Sequence, residues 1–346
     1  MLHTKGYTAL INWFSAQSPI LSHHAKEAAC AVAISLDKQW SASSYTCGFE
    51  FHHYQSSHDP DFLVFGDTTK ISNPNGIGYP PWWSTYENNI ISLKNKISDL
   101  TPSFSIPSDN WLEFDMKESS LILAGIWQGV VSNPNCCLEQ WSLLSQALAC
   151  GFNPDSDLQN SIHIRNFINF FSLPNQVGMM FNRGNFIKLM VPLFGYDEIR
   201  RLKNYIEALG FKHIPRLKPI IDGLIEIGPI LRPAISIDID LNDTSSFPMV
   251  ALEIHQKKQK GRNMQPETSK FLEYVCKIDS SQILDLNNCL AYLPSGLRSR
   301  RLDFVEGLSI QTRIAELNHL KVSISSNAVR LKSYVRLVEH NHIDHL

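Results

Sequence analysis

The 346-residue sequence predicts an α+β protein, a wide ten-stranded antiparallel β-barrel with helices on its outside. Two observations carry this. Five pairs of strand-like runs recur along the chain with helical stretches between them, and each run alternates apolar with polar or charged residues at period two. Ten antiparallel strands in one flat layer would leave long unpaired edges, and closing the sheet removes them. Such a barrel would take up the chain as one domain, 1–346, with 338–346 as a flexible tail.

The elements follow in chain order. The first pair spans 26–54, KEAACAVAIS and then SASSYTCGFEFHHY. Residues 53–110 are rich in Pro, Gly, Ser and Asn, and within them 86–100 has helical spacing. The second pair is 111–126, WLEFDM and SLILAGI, followed by a helix over 136–151 that stops at Gly151. The third is 176–192, QVGMMF and FIKLMVP around the turn NRGN. Helices are predicted over 196–209, where Ile199, Leu202, Ile206 and Leu209 share a side, and over 216–227. The fourth pair, 234–255, is followed by a helix at 266–277 with Pro266 in its first turn. The fifth, 319–337, is HLKVSIS and VRLKSYVRL around Ser326 and Asn327.

Composition narrows the function. Lys and Arg number 31 against 33 Asp and Glu, a formal charge of -2, which argues against a bulk electrostatic grip on nucleic acid. No apolar run is long enough to span a bilayer, and the start MLHTKGYTALINWF lacks the pattern of a secretory signal. Seven cysteines without a CxxC pair suit reduced thiols, so a cytoplasmic protein is expected. The dinucleotide, P-loop, zinc-protease and serine-hydrolase motifs are absent, and no metal-ligand set is read from spacing. The tail His340, His342, Asp344 and His345, the group His52, His53, His58 and Asp59, and the basic runs at 257–262 and 298–301 read as solvated segments.

The polar faces of the strands are the informative ones. Arg330, Lys332, Tyr334 and Arg336 oppose Val329, Leu331, Val335 and Leu337. Lys321 and Ser323 share a face, as do Asp238 and Asp240, and Ala251, Glu253 and His255. Phe186, Lys188 and Met190 form another such face, and Trp111, Glu113 and Asp115 a further one. In an open sheet these faces would be wet. In a barrel they converge on one enclosed space, where charges of both signs need partners or solvent.

This layout resembles the aromatic prenyltransferases of the ABBA type, whose fold, the PT barrel, repeats αββα units. Arg330-Leu-Lys332-Ser-Tyr334 is similar to the R-x-K-x-Y strand pattern of that superfamily, and Glu27-Ala-Ala-Cys30 is similar to the E-A-x-C stretch of cyanobactin peptide prenyltransferases. The resemblance implies transfer of an isoprenyl group from its diphosphate to an aromatic small molecule or peptide. It implies no tightly bound cofactor, with Mg2+ as an ion that accompanies the diphosphate. Arg330, Lys332, Lys321, Lys188 and Arg336 would then face the diphosphate, and Tyr334, Phe186 and Trp111 the allyl cation. His255 would line the substrate, and Glu27, with Glu113 as second choice, would act as base. A different reading starts from the acidic residues Glu113, Asp115, Asp238, Asp240 and Glu253. They suit a non-catalytic ligand- or peptide-binding barrel, or a peptide-tailoring enzyme with a cationic substrate.

Overall fold

Strands with one apolar and one charged face are stable when they curl around the charged side and cover the apolar side with helices. The computed structural model describes residues 6–39, 44–54, 59–67, 104–105, 109–117, 120–129, 131–132, 170, 176–180, 186–193, 195–209, 215–231, 233–240, 249–255, 264–303, 307–325 and 328–344. Helices α1 (Tyr7–Gln17) and α2 (His23–Gln39) precede β1 (Ser44–His52) and β2 (Asp61–Asp67). Next come β3 (Phe104–Ser105), β4 (Asp109–Lys117), β5 (Ser120–Gly129), β6 (Val131–Ser132), β7 (Gln176–Met180) and β8 (Phe186–Pro192). Helices α3 (Tyr196–Leu209) and α4 (Leu217–Leu231) lead to β9 (Pro233–Asp240) and β10 (Met249–Ile254). Helix α5 (Pro266–Lys270) runs into a π-turn (Phe271–Val275), and α6 (Ser280–Ala291) precedes β11 (Leu297–Asp303), β12 (Gly307–Ile324) and β13 (Val329–Asp344).

The main sheet is curled and antiparallel throughout, in the order β10-β9-β8-β7-β5-β4-β2-β1-β13-β12-β11, while β3 and β6 pair separately. Val250–Ile254 of β10 also pairs with Leu320–Ile324 of β12, so ten of the pairings return to the strand where they began. β11 hangs outside this ring, along the far half of β12.

The core lies between the convex face of the sheet and the helices. Phe14 of α1 stacks on Phe49 of β1 at 5.9 Å, and Phe49, Phe62 and Phe114 carry the contact across β1, β2 and β4 at 5.3 and 6.3 Å. Leu189, Ile235, Leu252, Leu320, Val322, Leu331, Val335 and Leu337 continue it around the sheet. At the start of α1, Asp37 of α2 accepts the Tyr7 and Thr8 amides at 2.7 and 3.0 Å, satisfying two open N–H groups. Gly6 makes this possible: its φ is 117°, and a Cβ there would stand 2.4 Å from the Asp37 carboxylate.

Several expectations are corrected. Residues 26–35 are helix, not strand: Ala25, Ala29, Val32, Ala33 and Leu36 form a buried stripe at helical spacing in an alanine-rich segment. The partner of β1 in the first hairpin is therefore β2, inside the Pro/Gly-rich region. The last hairpin is far longer than 319–337, and 338–344 is not a flexible tail but the end of β13, with Asp344 opposite Leu308. The helices expected over 86–100 and 136–151 lie outside the described residues. No helix among the described residues is long and apolar enough to cross a membrane.

Phe49 is 1% exposed and Ile34, on the outside of α2, is 48% exposed. Phe49→Ala is expected to cost about 3–5 kcal/mol of unfolding free energy and Ile34→Ala less than about 0.5 kcal/mol. Denaturant titration checks both, and a cost below about 1 kcal/mol at Phe49 would remove it from the core.

Candidate functional site

Period two sends Glu50, Asp61, Glu113, Lys188, Asp238, Glu253, Lys321 and Lys332 to the concave face, and the registers decide which of them meet. Lys188 is directly opposite Asp238, and their charged atoms are 3.3 Å apart. Glu253 is directly opposite Lys321 at 3.5 Å. Arg336 is opposite Glu316 and donates to it from Nε at 3.0 Å and from a terminal nitrogen. Lys321 and Lys332 also face each other across β12 and β13, a repulsive pairing by itself. It is relieved because Lys321 turns to Glu253 while Lys332 donates to Glu50.

At one end of the chamber His52 bridges two carboxylates, Asp61 at 2.9 Å and Glu50 at 3.1 Å. Asp61 uses its other oxygen to accept the Met116 amide at 2.9 Å, which ties the start of β2 to the end of β4. Burial alone would lower the His52 pKa, but the hydrogen bonds to Asp61 and Glu50 outweigh it and raise the value to about 10. His52 is therefore an imidazolium at neutral pH. His319 is the opposite case: burial dominates and lowers it to about 4, so it is neutral. His255 is lowered by burial too. Glu253 would be raised by burial, yet the charges around it, His319 and His255 where protonated and the Lys321 and Lys188 ammonium groups throughout, hold it below the ordinary carboxylate value.

The aromatic part of the chamber centres on Trp127. Its Nε1 donates to Glu113 at 2.7 Å, and the Lys188 and Lys321 ammonium groups each lie 5.6 Å from its ring centroid. Gly178 lies opposite Trp127 on β7, and a Cβ there would come within 2.7 Å of the indole. A cavity of about 100 Å³ opens here, lined by Trp111, Trp127, Met190, His255, His319 and Tyr334 among others. Tyr334 stacks on His319 at 4.1 Å.

The structure thus brings together Glu113, Lys188, Lys321, Lys332, Tyr334, Arg336, Trp111 and His255. Two expected residues stand apart. Glu27 is exposed on α2 and 3.1 Å from His23, on the outside of the molecule, because its segment is helical. Arg330 shares the parity of Lys332 but sits at the strand end, exposed, with its guanidinium 5.0 Å over the Tyr54 ring. Phe186 lies on β8 opposite Asp240, and its side chain is outside the described residues. Sequence reasoning missed Glu50, read His52 as solvated although its side chain is buried between two carboxylates, and missed Asp61, Trp127, Glu316 and His319. Alternation along SYTCGFEFH contains the signal for the first two, since Cys47, Phe49 and Phe51 oppose Gly48, Glu50 and His52. His319 had no such signal, because a bulge between Leu317 and His319 shifts the register there.

On the concave face the carboxylates Glu50, Asp61, Glu113, Asp115, Asp238, Glu253 and Glu316 stand among the cations Lys188, Lys321, Lys332, Arg336 and His52. It is neither a purely basic pocket nor a purely acidic one. Each basic side chain is held beside a carboxylate, which is how such a density of charge survives at low exposure.

No family model matches the sequence, and no curated protein matches it. Among solved structures, the chain is similar to a 5-dimethylallyltryptophan synthase from Streptomyces coelicolor at 12% identity and a TM-score of 0.41, over 85% of this chain and 80% of that one.

Because the His52 pKa is raised on folding, its contribution is complete below its ordinary value of 6.5 and is lost as pH rises toward about 10. The melting temperature of the wild type should therefore fall across that window relative to His52→Gln, whose own profile should be flatter. Parallel melting curves for the two proteins would dissolve the imidazolium bridge.

Proposed function

We propose that this chain transfers an isoprenyl group from its diphosphate to an aromatic or peptide nucleophile, and that its ring of ten paired strands is a PT barrel. The observation that carries the reading is the Trp127 ring with two ammonium groups 5.6 Å from its centroid and a buried carboxylate on its N–H. A π-face that accommodates ammonium also accommodates an allylic cation, and the ammonium groups beside it suit the departing diphosphate.

In this scheme the allylic C–O bond breaks, its electron pair leaves with the diphosphate, and the allyl cation forms against Trp127 and Tyr334. Lys188, Lys321, Lys332 and Arg336 take up the growing negative charge. An aromatic carbon or heteroatom of the acceptor donates an electron pair to the cation, and its proton passes to Glu113. Glu27 has no part, since it faces away from the chamber.

The carboxylates of this face shape the donor as well. A bare diphosphate would add its charge to an acid-rich wall, whereas a Mg2+ complex brings compensating charge and suits hard carboxylate oxygens. The same carboxylates support the second reading, a barrel that holds a cationic ligand without transferring anything.

Calorimetry separates the two. Dimethylallyl diphosphate should bind, more tightly with Mg2+, and Lys188→Gln or Lys321→Gln should each weaken it by about tenfold or more, as expected for loss of a charge-assisted contact. Glu113→Gln should leave donor binding nearly intact while lowering turnover by about 100-fold or more. Heat from a cationic aromatic compound and none from any isoprenyl diphosphate would select the second reading.

A further inference from the structure

One group of side chains on the chamber wall is not used by the scheme above. The register that sets Glu253 opposite Lys321 and Ile254 opposite Leu320 brings His255, just past the end of β10, alongside His319 of β12. The two imidazole centroids are 5.0 Å apart. Nε2 of each ring is 3.9 Å from the same oxygen of Glu253, Oε2, and the three donor atoms lie within 4.8 Å of one another.

We propose that Glu253, His255 and His319 bind one divalent transition-metal ion, of the Zn2+ class, with its remaining coordination positions open to the cavity. Two imidazoles and a carboxylate are a donor set for Zn2+ and its first-row neighbours, and three protein ligands leave room for water or substrate. Donors at about 2.0–2.1 Å from a tetrahedral ion stand roughly 3.3 Å from each other, so the two 3.9 Å Glu253–histidine spacings need to close by about 0.6 Å, and the histidine pair, within 4.8 Å, by at most about 1.5 Å.

The surroundings are arranged to hold the ligands in place. Lys321, 3.5 Å from Glu253 Oε1, engages one carboxylate oxygen and leaves Oε2 turned to the histidines. Tyr334 stacks on His319 with an interplanar angle of 22° and fixes the plane of that ring. The Asn318 amide lies 3.0 Å from His319 Nδ1. The atom placed there is Nδ2; with the amide flipped, Oδ1 accepts a hydrogen bond from Nδ1–H and leaves the Nε2 lone pair facing the ion. The bulge before His319 is what places Asn318 and His319 together on the cavity wall.

The other His and carboxylate group, Glu50, His52 and Asp61, is built differently. There His52 Nε2 already spans both carboxylates at 2.9 and 3.1 Å, and Lys332 donates to the same Glu50 oxygen, so the donors are spent on each other. Glu253, His255 and His319 instead stand beyond hydrogen-bond distance, 3.9 Å from each Nε2 to Oε2, and all three line the cavity.

The ion's open positions face Trp111, Trp127 and Tyr334. An oxygen or sulfur anion of a substrate is the chemistry that would complete its coordination. The metal site does not depend on the diphosphate reading, and the two fail separately: donor calorimetry with Mg2+ on protein freed of transition metal tests one, and Zn2+ titration without donor tests the other.

The test uses the full chain stripped with chelator and titrated with Zn2+ by calorimetry, with bound metal counted after desalting. One ion per chain is expected, together with a rise in melting temperature and the visible spectrum of low-coordinate Co2+ when that ion replaces it. His255→Gln and His319→Gln should each weaken binding by about 100-fold or more, beyond the loss of an outer-shell partner. His255 is 39% exposed at the cavity mouth, so its substitution leaves the core intact and keeps the test valid if His319→Gln fails to fold. His23→Gln and His340→Gln, at exposed positions, should change nothing. No binding, or binding that survives both cavity substitutions, overturns the proposal.

Discussion

The pairing of β10 with β12, and within it the buried Glu253–Lys321 pair, is the contact on which the rest of the molecule depends. Without it the sheet has two free edges and its charged face is an ordinary wet surface. With it, ten strands bring their polar sides around one space, and each charge must find a partner across a neighbouring strand. That requirement explains the pattern found there: Lys188 with Asp238, Lys321 with Glu253, Lys332 with Glu50 and Arg336 with Glu316. Most of these are direct register partners, so strand pairing and charge pairing enforce each other, and a one-residue slip would separate both.

The same constraint shapes the chemistry available. Cations that are already neutralised are not a bare anion trap; under the proposed function they would exchange one partner for another when a ligand enters. The Trp127 ring, with Gly178 clearing space for it and Glu113 holding its N–H, provides the surface on which such an exchange can take place. The cavity therefore combines a polar half that can rearrange with an aromatic half fixed by packing.

Strand alternation made much of this legible before any coordinates. The parities of 329–337, 234–241 and 111–116 placed Lys332, Asp238 and Glu113 on one side, and those residues share the concave face. Two kinds of information were lost. The alanine-rich stretch 26–35 has the composition and spacing of a helix, and reading it as a strand puts Glu27 in a hairpin that its segment does not form. Strand β2, seven residues within a loop-like region, carries too little pattern to stand out, and Asp61 went with it. Partners far apart in sequence are invisible to periodicity. His255 and His319 come together only because β10 meets β12, and Glu50 and Lys332 only because β1 meets β13.

Backbone amide exchange across the β10–β12 seam is the most direct measurement of that closing pairing. If the sheet is joined there, the inward-bonded amides of 250–254 and 320–324 exchange as slowly as those of β1 and β13, released only by global opening. If they exchange on the timescale of a free strand edge while β1 and β13 remain protected, the sheet is open, and the enclosed chamber on which the functional reading rests does not exist.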